Sequence, residues 1–112
     1  MIHPNDDNGD VLRRMEAHGD DLSRSRDIDF NVVFPNEALA TAFAQQVREE
    51  EHRATVRLAK VVETHPWEVL VVRHMIPTHS GITQFEHELQ KWAEPLGGYT
   101  DGWGCISQTR PQ

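Results

Sequence analysis

The hydrophobic period of this chain switches between strand-like and helix-like several times, and the order of the switches limits the folds open to it. Ile28, Phe30, Val32 and Phe34 alternate with Asp29, Asn31 and Val33, the period of a strand with one dry face. Pro35 stops the alternation and Asn36 stands where a helix cap belongs. Leu39, Phe43 and Val47 then recur at i, i+4 and i+8 among alanines, which predicts an amphipathic helix ending near Glu49. Ala54, Val56 and Leu58 return to alternation, giving a second strand that ends by about Val62. The run WEVLVVRHMI, Trp67 to Ile76, is the most apolar and β-branched of the chain and suits a strand in the middle of a sheet.

After Pro77, Thr78 or Ser80 can cap a further helix whose stripe is Ile82, Phe85, Leu89, Trp92 and Leu96, closed by Pro95 and Gly97-Gly98. Tyr99 to Ser107 leaves room for a last strand. Ahead of all this, Val11, Leu12 and Met15 mark a short helix to His18, with Gly19 in the C′ position, and Asp20 to Asp27 reads as a loop. The core order is therefore β-α-β-β-α-β. Right-handed crossovers bring the first and third strands to the centre of a four-stranded antiparallel sheet with both long helices on one face. The expectation is a ferredoxin-like α+β sandwich, preceded by the short helix. With 112 residues the chain suits a single domain, with its core at about 11–107 and loose ends at 1–9 and 108–112.

Charge narrows the partners. Eighteen Asp and Glu against eleven Lys and Arg give a net charge of −7, weighted toward the first thirty residues, which repels phosphate backbones and favours a basic protein. Four-stranded α+β sandwiches can stack bases on an open sheet face, but the outward positions of the first strand are Asp29, Asn31 and Val33, so no direct nucleic-acid contact is expected. No apolar run reaches the ~20 residues of a membrane span, and Met1 to Asp10 is polar and acidic; a cytoplasmic protein without membrane contact is the expectation. Cys105 stands alone, which excludes an internal disulfide and a thiolate zinc site and suits a small core residue. His79 and His87 are too far apart along a helix to share an ion, and solvent-facing histidines explain them. Glu68 is the only carboxylate whose apolar surroundings suggest acid/base work, and strand alternation explains it. Neither a nucleophile elbow nor a phosphate-cradling loop is present. No catalytic residue, cofactor or metal is expected.

The remaining feature is GGYTDGWGC, residues 97–105, with four glycines among nine positions. In a regular strand Tyr99, Asp101, Trp103 and Cys105 would share one face, and Thr100, Gly102, Gly104 and Ile106 the other. Glycines at i and i+2 weaken a strand and call for a bulge or the close approach of another backbone, and Asp101-Gly102 can supply a positive-φ corner. Two readings stand side by side. The stretch closes the sheet, with Trp103 folded over the hydrophobic edge; or Trp103 and Tyr99 lie on the uncovered face as anchors for a partner.

The run Tyr99-Thr100-Asp101-Gly102-Trp103-Gly104, directly after an amphipathic helix and a β-α-β-β core, resembles the C-terminal signature of the regulator of ribonuclease E activity B family. That family shows Tyr-Asp-Gly-Trp-Gly in this place; here Thr100 is interposed. The resemblance spans roughly Val11 to Ile106, and the final motif is its specific part. It implies a small, non-enzymatic, ferredoxin-like protein of the bacterial cytoplasm that binds the arginine-rich region of ribonuclease E and lowers its activity on RNA. The chain ends at Gln112 with Arg110 as its last charge, without the long acidic tail of better-known members, a departure that bears on inhibition more than on fold and leaves two expectations open, weak binding or a different partner. Tyr99, Asp101, Gly102, Trp103 and Gly104 are then the candidate partner-binding residues. Asp20 and Asp21, with Asp6, Asp7 and Asp10, would steer the basic partner. The alternative is a small-ligand-sensing or dimerisation module, with the gap at Gly102 and Gly104 as its pocket and sheet edges pairing in a homodimer.

Overall fold

The computed structural model describes residues 6–105. The first helix, α1 (Asp7–Ala17), opens a full turn earlier than its apolar spacing indicates, because Asp6 caps it by accepting the Gly9 N–H; the expected loose end therefore gives way to helix from Asp7. It closes at His18, and Gly19 takes φ +87°, the left-handed residue expected there. The strand β1 (Arg26–Phe34) begins two residues before the first apolar position. The helix α2 (Glu37–Glu49) is capped by Asn36, whose side chain accepts from the Leu39 N–H. Then come β2 (Arg53–Val62), β3 (His65–Met75), α3 (His79–Ala93) capped by Thr78, a 3-10 turn at Glu94–Leu96, and β4 (Tyr99–Cys105). Ile106 and Ser107, expected in the last strand, lie outside the described residues.

The four strands form one antiparallel sheet in the order β2-β3-β1-β4, so the first and third strands are central, as the right-handed crossovers require. The protein is thus α+β, with three α-helices and a four-stranded antiparallel sheet among the described residues. Ile28, Phe30, Val32 and Phe34 of β1 and Val69 and Val71 of β3 are all buried, packed with Phe43 and Val47 of α2 and Ile82, Phe85 and Leu89 of α3. Phe85 is the hub: the Phe30 ring meets it edge-on at 4.8 Å and the Arg73 guanidinium lies 4.7 Å from its centroid. Leu12 of α1 is fully buried in the same cluster, which makes the leading helix part of the core packing.

The edge strand β2 departs from its expected alternation. Leu58 pairs with Trp67, but the next pair is Val62 with His65, so β2 carries extra residues there and Lys60 adopts φ +53°. Leu58, just before this irregularity, is 49% exposed, and Val61, within it, is 74% exposed.

The end of the sheet nearest β4 is fixed by a close approach. A Cβ on Gly98 would stand 2.3 Å from the Phe34 ring, so only glycine lets the chain turn from the 3-10 segment into β4. Gly98→Ala is expected to lower stability by about 1–3 kcal/mol through overpacking, measured as a reduced midpoint in urea denaturation.

Candidate partner-docking site

The motif residues are arranged by a bulge in β4. Cys105, Gly104 and Trp103 stand opposite Ile28, Asp29 and Phe30, whereas Thr100 and Tyr99 stand opposite Val32 and Val33. Asp101 and Gly102 together therefore face the single residue Asn31. Gly102 accepts the kink with φ +101°, a conformation costly for any side chain. The face assignment drawn from regular alternation is corrected accordingly. Trp103 and Cys105 remain on the helix-covered side with Ile28 and Phe30, but the extra residue brings Tyr99 round to the uncovered side. Thr100 turns toward α3, where its N–H and hydroxyl donate to Gln90 Oε1 at 2.9 and 3.3 Å.

Trp103 is half-buried against the core. Its indole N–H donates to Asn8 Oδ1 at 2.9 Å, and the same carboxamide donates through Nδ2 to Thr83 Oγ1 at 2.9 Å and Glu86 Oε1 at 2.8 Å. One side chain in the first turn of α1 thus ties that helix to α3 and β4. Beside it a cleft of about 360 Å³ is lined by Asp7, Asn8, Val11, Glu86, Gly102 and Trp103. Asp7 is exposed and Glu86 half-buried, so two carboxylates share the cleft with the indole, and Asp101 is exposed two residues along β4. Asn8 and Glu86 were not legible as site residues: one falls in a stretch that reads as polar leader and the other as an outward helix position, and only the fold joins them to Trp103.

Tyr99 sits on the uncovered face with its ring 4.8 Å from that of His65, and His65 Nε2 lies 2.9 Å from the Gly97 carbonyl oxygen. In register with Tyr99 are Val33, Glu68 and Arg57. Glu68, only 5% exposed, accepts from Arg57 Nε and Nη2 at 3.0 and 2.6 Å. That ion pair accounts for a carboxylate at the start of the apolar strand.

The steering acids divide. Asp20 is corrected from a surface acid to a buried one: it is 3% exposed and accepts two bonds from Arg26 Nη1, at 2.9 and 2.8 Å. Arg26 Nη2 also donates to the Asp21 carbonyl at 2.9 Å, so the guanidinium folds the loop after α1 down onto the sheet end. Asp21 is half-buried, its carboxylate accepting from Ser23 N and Oγ at 3.2 and 2.6 Å. Burial pushes the neighbouring Cys105 thiol above its ordinary value, against the pull of Arg26, which suits a packed side chain better than a reactive one. Asp6, Asp7 and Asp10 are exposed on α1. Asp6 lies 2.8 Å from His79 Nε2, and its carboxyl is held below the usual range first by the Gly9 N–H and then by His79.

Among the described residues no group of three or more His, Cys, Asp or Glu is placed to hold a metal ion, and none of their helices is long and apolar enough to cross a membrane. The fold is that of a small α+β protein, with a half-buried indole in a cleft that Asp7 and Glu86 also line. The chain belongs to the regulator of ribonuclease activity B family, whose model matches residues 5–105. No curated protein matches it.

Asp20→Ala leaves a buried guanidinium without its carboxylate and is expected to cost about 3–5 kcal/mol, read by urea denaturation. Asp6 has a depressed folded pKa, so its contribution is complete above the unfolded value near pH 4 and is lost as pH falls through the lower folded value. On acidification below about pH 4 the Trp103 indole N–H resonance should move away from its Asn8-bonded position as α1 loosens, and Asp6→Asn should reduce that dependence.

Proposed function

We propose that this protein is a non-enzymatic regulator that docks on a ribonuclease in the bacterial cytoplasm, ribonuclease E being the leading partner, and thereby modulates RNA turnover. The observation that carries the reading is the family match over residues 5–105. The partner surface is a basic protein segment, and the net charge of −7 supports this by favouring cationic chains and repelling RNA. Asp7, Asp101 and Glu86 would draw the partner in, and the exposed part of Trp103 would hold it. Tyr99, Gly102 and Gly104 would shape the adjoining surface. Asp21 stands at the periphery, and the buried Asp20 would act only by fixing the loop. The strand order β2-β3-β1-β4 with α2 and α3 in the core supports reading the fold as a ferredoxin-like sandwich.

A dimerisation or small-ligand module is the second reading, and the exposed Leu58 and Val61 on edge strand β2 favour it. The same edge carries Arg53, Arg57 and Lys60 and a bulge, devices that discourage strand-to-strand pairing. A monomer in sedimentation would remove the dimer.

Because Trp103 also packs against the core and binds Asn8, its truncation mixes stability with binding; charge reversal separates them. Asp7→Lys combined with Asp101→Lys should slow association with purified ribonuclease E about 10-fold at low salt, with the loss shrinking as salt rises and circular dichroism unchanged. An unaltered association rate sinks the docking surface, and absence of binding by the wild type sinks the partner.

A further inference from the structure

We propose that the uncovered sheet face carries a guanidinium-binding cleft, centred on Asp29 and Gly104, that receives an arginine side chain of the docked protein; this deepens the docking reading above and rests on it. The cleft has a volume of about 410 Å³, and Asp29, Asn31, Arg57, Leu70 and Gly104 line it together with the β4 neighbours Trp103 and Cys105.

Charge on this face is nearly matched, and the mismatch falls in the cleft. Asp27 is paired with Arg53 at 3.0 Å and contacted by His74 at 2.9 Å, and Glu68 is paired with Arg57 at 2.6 Å. Asp29, half-buried, has no ion pair or hydrogen-bonded side chain among the described residues. Next to it on the same face, Asn31 keeps its Oδ1 shut off from water without a donor, opposite the bulge where β4 loses its regular pairing. Buried acceptors in native proteins nearly always find a donor. Here the Asn31 Oδ1 is an exception, and it stands beside the unpaired Asp29 carboxylate.

Gly104, directly across from Asp29, supplies the space. A Cβ added to it would meet nothing within 4 Å, and its backbone is not in the positive-φ region. Neither packing nor conformation therefore demands glycine, and glycine weakens a strand. The missing side chain leaves room for one that comes from elsewhere.

An arginine fits this vacancy better than a lysine. Asp29 and Asn31 are two residues apart on one strand face, about 6.6 Å between Cα atoms, a span a planar fork of donors can bridge and a compact ammonium cannot. The fork meets the Asp29 carboxylate, and the Asn31 amide, turning about its broad χ2 torsion, presents Oδ1 to a second N–H. Leu70 offers an apolar wall to the methylene stem.

The test titrates the full ¹⁵N-labelled chain with a synthetic peptide of three arginines spaced by glycines, and with its lysine and citrulline counterparts. The arginine peptide should shift the amides of Asp29, Asn31 and Gly104 and the Asn31 side-chain amide, with the other two binding about 10-fold more weakly or worse. Gly104→Val should keep or raise the melting temperature yet weaken the arginine peptide about 10-fold, and Asp29→Asn should weaken it likewise. Equal binding of the arginine and lysine peptides, shifts confined to the Asp7–Trp103 cleft, or wild-type affinity in Gly104→Val overturns the proposal. Purified ribonuclease E separates the two readings. If the wild type fails to bind it, the docking reading falls; if Gly104→Val and Asp29→Asn bind it as the wild type does, the cleft alone falls.

Discussion

The extra residue in β4 is the constraint on which the arrangement of the motif depends. With Asp101 and Gly102 set against the single residue Asn31, the strand changes which side chains it presents partway along its length. Trp103 stays on the helix side, where its indole N–H finds Asn8, while Tyr99 is carried to the other face beside His65. A β4 without the bulge would put both aromatics on one face and leave Thr100 pointing away from Gln90. The positive φ of Gly102 is what makes the bulge inexpensive.

From this follows the role of α1. A short helix ahead of a complete β-α-β-β-α-β unit has little reason to stay in place unless something holds it. Leu12 contributes apolar burial, and the Asn8 carboxamide satisfies partners on α3 and β4 at once. Buried or half-buried polar links of this kind add specificity of position more than free energy. Asp7 of α1 and Glu86 of α3 are thereby held in one cleft with the indole. At the opposite side of the sheet, Arg57 with Glu68 and Arg53 with Asp27 neutralise one another, which leaves the strand face polar but nearly balanced apart from Asp29.

Asp20 shows why charge alone misleads. In sequence it is one of several aspartates in a loop rich in them, indistinguishable from Asp21. In the structure it meets Arg26, six residues on, and both side chains are almost wholly buried. Burying a charge is tolerated only with a partner and further hydrogen bonds, and Arg26 obtains those from the carbonyls of Asp21 and Arg24. The pairing depends on the loop closing on itself, which no local pattern announces.

The sequence by itself determined the elements, their order and the dry faces of β1, α2 and α3, because periodicity and capping act over a few residues: the alternation of Ile28 to Phe34, the Asn36 and Thr78 caps, the Gly19 terminus and the stripe of α3 all stand where local chemistry puts them. It also carried the family, through the run Tyr99 to Gly104. Tertiary structure decided the rest, for two physical reasons. Register against a neighbouring strand cannot be read from one strand alone, so the bulge at Gly102 and the exposure of Leu58 emerged only on pairing. Contacts between Asn8 and Trp103, or Asp20 and Arg26, join residues whose meeting depends on the whole fold, and so which acids lie on the surface and which are buried was decided there.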